Sequence, residues 1–107
     1  MSKRAKQYRQ GDVLIVPVSE VPKGVKKVER ENGRIVLAHG EATGHAHTID
    51  SLEAEFYETV EGERYLELGS PVAVAHQEHA TIDVPAGTYK VIRQREYSPS
   101  EIRNVRD

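Results

Sequence analysis

Five histidines, His39, His45, His47, His76 and His79, all fall between Arg34 and Pro85 of a chain that contains no cysteine. Their neutral imidazole nitrogens are therefore its best metal-binding groups, suited to a divalent transition ion such as Zn, Fe, Ni or Cu. Four of them form two close pairs, His45-Ala46-His47 and His76-Gln77-Glu78-His79. On a β-strand residues i and i+2 share a face, so His45 and His47 point the same way and can chelate one ion. His76 and His79 would lie on opposite faces of a straight strand. A two-residue hairpin loop at Gln77-Glu78 instead makes them opposed neighbours on one face.

The sequence leaves that register open. A three-residue loop pairs His76 with Ala80 and aligns Val72 and Val74 with Ile82 and Val84, which serves a core better but puts His79 at the tip. A bulge could satisfy both demands, since bulges re-aim side chains beside functional sites. The expected ligands of a single ion are thus His45, His47, His76 and His79. His39 is a weaker candidate, ending a strand before the Gly40 to Gly44 loop. Glu41, Glu53 and Glu78 are close enough in sequence to add a carboxylate ligand, a hydrogen-bond partner or a general base. The competing explanations are solvated surface histidines, a protonation switch, and a catalytic role without metal.

The elements that must position these groups alternate with period two. Asp12 to Val18 reads as a strand entered through Gln10-Gly11 and closed by Ser19 to Gly24. Lys26 to Glu31 and Arg34 to Ala38 flank Asn32-Gly33, the pair that best supplies the positive φ angles of a type I′ turn. His45 to Ile49 is a further strand. Glu55 to Val60 and Glu63 to Leu68 form a second hairpin around Glu61-Gly62. Pro71 to His76, His79 to Val84 and Thr88 to Tyr97 complete the pattern, the last two separated by Pro85-Ala86-Gly87. In the tail, Ser98-Pro99-Ser100-Glu101 carries N-cap and capping-box signals, predicting a short helix over 98–105. The expectation is an all-β fold, a small antiparallel β-barrel or sandwich of about eight or nine short strands.

A length of 107 residues predicts one domain, and an apolar content of 37% with one Phe and no Trp leaves it a modest core. Fifteen Lys and Arg against seventeen Asp and Glu give a net charge of -2, so there is no overall basic footprint for nucleic acid. Lys3, Arg4, Lys6 and Arg9 make residues 1–9 locally basic, and they are expected to form a flexible arm. No apolar run is long enough to span a bilayer and no leader is evident, so the chain is expected to be cytoplasmic. Ser70 and Ser98 sit beside prolines in turn contexts, Thr43 and Thr48 flank the first histidine pair without completing a nucleophile-base-acid constellation, and no glycine-rich phosphate loop is present.

Gly40, His45-Ala46-His47 and Glu53 together resemble the first motif of the cupins, barrel proteins in which two histidines, a glutamate and a later histidine hold a metal ion. That resemblance covers about a seventh of the chain. It implies metal roles for His45, His47 and Glu53, with His76 or His79 as the third histidine. The chain as a whole is similar to small uncharacterised bacterial and phage-associated proteins with a Gly-Asp-Val-Leu opening, an HxH segment and an HxxH segment before Pro-Ala-Gly. That likeness implies no particular activity.

Three functions follow as expectations. The first is a metal-binding small barrel, with a minimal cupin-like enzyme acting on a small-molecule ligand as its extension. The second is a non-catalytic protein-interaction module with a structural metal or none. The third is a nucleic-acid-binding barrel using the basic arm with Arg93, Arg95, Arg103 and Arg106, opposed by neighbouring acids and few aromatic residues. An unpaired strand edge would also suit a homodimer.

Overall fold

The computed structural model describes residues 6–39 and 45–94. Ten strands follow one another: β1 (Tyr8–Gln10), β2 (Val13–Pro17), β3 (Lys26–Lys27), β4 (Ile35–His39), β5 (Ala46–Ile49), β6 (Ala54–Glu58), β7 (Arg64–Leu68), β8 (Val72–Ala75), β9 (Ile82–Val84) and β10 (Gly87–Arg93). The fold is all-β as expected, but the strands form two antiparallel sheets rather than a closed barrel. One has the order β1-β2-β10-β7-β6-β3 and the other β4-β5-β8-β9. There is no helix among the described residues, and hence none able to cross a membrane. The helix expected over 98–105 lies outside them.

Period-two patterning builds the shared core. Val13 and Ile15 of β2 are fully buried while Leu14 between them and Val16 after them are only half-buried. Ile35 and Leu37 from β4, Ile49 from β5, Phe56 from β6, Leu66 from β7, Val74 from β8 and Val84 from β9 complete one cluster drawn from both sheets. Burying each such side chain stabilises the fold by roughly 1.5–3 kcal/mol before entropy is counted.

The Asn32-Gly33 turn forms as predicted, with φ of 54° and 81° and reciprocal backbone hydrogen bonds between Glu31 and Arg34. The strand expected before it, Lys26 to Glu31, shrinks to Lys26–Lys27 and pairs with β6 instead of β4. The chain passes here from one sheet to the other: Val28 N–H donates to Phe56 O, and Lys27 Nζ lies 3.2 Å from Glu55. The basic arm expected over 1–9 is likewise not loose at its end, because Tyr8–Gln10 forms edge strand β1 against β2.

β1 also ties the sheets together. Gln10 is 2% exposed, and its Nε2 donates to Val74 O and to Ala80 O, both at 2.9 Å, on β8 and the loop before β9. Two carbonyl partners require the amide nitrogen on that side, so the Gln10 oxygen faces the opposite way.

Candidate metal centre

The oxygen of Gln10 faces His47. This histidine lies on β5 and is 1% exposed, and its Nδ1–H donates to Gln10 Oε1 at 2.8 Å. Since both Gln10 N–H groups are already directed at carbonyls, its oxygen can only accept, which puts a proton on His47 Nδ1. In neutral His47 the lone pair is then on Nε2, and Nε2 lies 3.4 Å from Asp12 Oδ1. A buried lone pair facing a carboxylate is repulsive unless a proton or another cation lies between them.

The two groups titrate in ways that sharpen this conflict. Burial, reinforced by the neighbouring His76 and His79, lowers the pKa of His47 below the usual histidine value although Asp12 opposes the shift. Burial alone would raise the pKa of Asp12, but the Arg93 hydrogen bond and charge outweigh it and hold the carboxyl below its usual range. Arg93 Nε lies 3.1 Å from Asp12 Oδ2. The protein thus favours a neutral imidazole against an ionised carboxylate, a donor pair suited to a divalent metal ion.

The other predicted histidines gather at the same place. The centroid of the His76 ring is 4.4 Å from that of His47, 4.7 Å from that of His79 and 5.7 Å from that of His45. The His47 and His79 rings are 6.0 Å apart and nearly parallel. Imidazoles bound tetrahedrally through nitrogens at the usual zinc distance would have centroids about 5 Å apart. Burial, together with the charges of His79 and His45, lowers the pKa of His76 as well.

Of the two registers that the sequence leaves open, the one that serves the core forms, and the loop rather than the strand pairing brings His79 to the other rings. β8 and β9 pair Val72 with Val84 and Val74 with Ile82, the alignment that the apolar pattern favours. The two-residue hairpin that would make His76 and His79 cross-strand partners is absent. Both rings belong to the loop between Ala75 and Ile82, and the loop itself folds them back. Glu78 N–H donates to His76 Nδ1 at 3.0 Å, closing a local turn, while Ala46 N–H donates to Gln77 Oε1 at 2.9 Å and anchors the loop to β5. His79 lies over the β1–β2 turn. Gly11 there has φ +59°, and a Cβ on it would come within 2.6 Å of His79 Nε2. Only a residue without a side chain leaves room for the ring.

The weaker candidates separate. Glu78 approaches the cluster, with Oε2 3.5 Å from His45 Nδ1. His39 lies outside it, exposed, with Nε2 3.3 Å from Glu31 Oε2. Glu53, implied as a ligand by the cupin resemblance, is in the turn before β6, its backbone bonded to Ser51 and Gly69. It makes no contact with the histidine rings among the described residues. Glu41 lies outside those residues. The carboxylate that does reach the centre, Asp12, was missed because some thirty residues separate it from the nearest histidine pair. Its one sequence signal was the Gly11-Asp12 step that opens β2.

As placed, no group of three or more His, Asp or Glu side chains among the described residues forms a ready metal shell. The hydrogen bonding of His76 supplies one reason. By accepting the Glu78 amide at Nδ1, neutral His76 carries its proton on Nε2 and presents a donor where a ligand needs a lone pair.

Against known protein families, residues 9–94 match the model described as Domain of unknown function (DUF8820). That match carries no link to cupins or to phage proteins. No curated protein and no solved structure matches the chain.

Proposed function

The chain belongs to this family of unknown function, DUF8820, and from the chemistry of its own residues we propose that it binds one divalent transition-metal ion between its two sheets. His47 Nε2, Asp12 Oδ1 and His79 are the first ligands. His76 joins them by releasing the Glu78 amide. His45 and Glu78 stand at the rim, where they adjust the charge. The observation that carries this reading is the His47 lone pair, held toward Asp12 by Gln10. An imidazole whose remote N–H is anchored to a carbonyl oxygen is the usual arrangement of a metal-bound histidine.

Four protein donors would close a tetrahedral shell, which favours a structural ion over a reactive one. The donors come from the β1–β2 turn, β5 and the β8–β9 loop, so the ion would pin the edge of one sheet to the other. Zinc suits this donor set best, with iron and nickel as competitors.

Elemental analysis of protein purified without a nickel column tests the reading. About one ion per chain is expected in the wild type, with loss in His47→Ala and weakened retention in Asp12→Asn. Substoichiometric metal that neither substitution changes would overturn it. Chelation should lower Tm markedly, because binding free energy of a structural ion is folding free energy.

A further inference from the structure

Two pairs of donors in the histidine cluster repeat one geometry at different depths. His47 Nε2 lies 3.4 Å from Asp12 Oδ1, and His45 Nδ1 lies 3.5 Å from Glu78 Oε2. Both separations exceed those of good hydrogen bonds, about 2.7–3.2 Å. Both are close to the spacing of two ligands on one tetrahedral ion, roughly 3.4 Å at bond lengths of about 2.0–2.1 Å. The inner side chains are 2% and 31% exposed, the outer ones 24% and 65%. His76 lies between the pairs, its ring centroid 4.4 Å from that of His47 and 5.7 Å from that of His45.

From this repetition we propose that His45 Nδ1 and Glu78 Oε2 form an outer, weaker position for the divalent ion, at which it arrives before passing inward to His47 and Asp12. The inference rests on the metal reading and adds a second place and an order of events to it. An ion in water is drawn first to the exposed carboxylate, because His47 is buried and the charge of Asp12 is already balanced by Arg93, 3.1 Å away. Two protein donors leave the rest of a tetrahedral shell to water, so the outer position holds the ion loosely. Glu78 also controls the transfer. Its backbone N–H donates to His76 Nδ1 at 3.0 Å and keeps that ring from ligating, while its carboxylate faces His45. The residues on either side of it are held, Gln77 by the Ala46 amide and His79 over Gly11, so a turn of the Glu78 peptide frees His76 without undoing the loop. The inward-moving ion gains His76 once that amide lets go, and this release is a step whose rate does not depend on metal concentration.

The test follows cobalt(II), whose visible absorbance reports its shell, by stopped flow on the full chain stripped with EDTA and desalted. Two phases are expected, a fast one whose rate rises with cobalt concentration and a slower one independent of it. Glu78→Gln and His45→Gln should each slow the fast phase about tenfold, yet leave about one ion per chain at equilibrium. Neither should move the metal-free Tm appreciably, because an exposed ion pair contributes little to stability. His47→Ala should keep the fast phase and lose the slow one. Uptake in a single phase, or at wild-type rates in both rim variants, would overturn the outer position and leave the inner site standing. Loss of the ion at equilibrium in Glu78→Gln would also overturn it, since Glu78 would then belong to the final shell. A wild-type chain that takes up no cobalt would overturn the metal reading and this inference with it.

Discussion

Replacing Gln10 by leucine removes the side chain that joins the two sheets and sets the His47 tautomer. Three partners lose their bond: Val74 O and His47 Nδ1 in buried positions, and Ala80 O in a part-buried one. Each buried polar group left without a partner costs about 1–3 kcal/mol, and the part-buried carbonyl costs less because water can reach it. Leucine returns some of this as apolar burial, roughly 1–2 kcal/mol for its added hydrocarbon. The net loss is about 3 kcal/mol, a large fraction of the stability of a domain this size. Urea denaturation of the EDTA-treated protein should show it as a lower midpoint at unchanged slope, with Tm falling by roughly 12–24 °C. Gln94→Leu is the control. Among the described residues its oxygen bonds the exposed Arg9, so it should change stability by less than about 0.5 kcal/mol. Gln10→Glu keeps an acceptor for His47 but sets an oxygen against two carbonyls, so it too should destabilise. A Gln10→Leu protein within about 1 kcal/mol of the wild type would refute the geometry from which the metal reading starts.

Gly11→Ala should cost about 1–2 kcal/mol through its positive φ and displace the His79 ring, so metal retention should fall even though no ligand is changed; elemental analysis alongside urea titration checks both. In metal-free protein His47 and His76 titrate below the usual histidine value, chiefly through burial, so the native state takes up protons later than the unfolded chain. Their contribution to stability is complete above about pH 6.5 and lost as pH falls through their folded values, a slope that His47→Gln should flatten in urea midpoints measured from pH 7.5 to 5. Leu37→Ala, at a fully buried position of β4, should cost about 2–5 kcal/mol and be read in the same assay.

Local patterning made most of the strands legible. The Asn32-Gly33 turn needed only residues that accept positive φ, and the alternation in Val13 to Val16 assigned inward and outward faces without knowledge of the partners. Pairing was less accessible. Lys26–Lys27 joins β6 because the chain changes sheets at Val28, and nothing local in a charged segment records that crossing. Tyr8 and Arg9 looked like part of a basic arm, yet they pair with β2 and the buried amide of the adjacent Gln10 holds the strand in the sheet. Closure into a barrel was one of two solutions to the same patterning, and the chain adopts the other, two sheets over one core.

What the sequence determined by itself was the set of candidate donors, an all-β scaffold, and the shared face of His45 and His47, because composition and strand parity are local properties. Whether His76 and His79 would join them depended on a loop conformation that parity does not govern. The β8–β9 register follows the apolar pattern that buries Val72, Val74 and Val84, and the loop then brings both rings to His47 through the hydrogen bonds of Glu78 and Gln77. Asp12, Gln10 and Gly11 entered the centre only through tertiary structure. They are distant along the chain from every histidine, and the physical reason for their importance, a buried imidazole proton that needs an acceptor and a ring that needs space, exists only once the two sheets have packed.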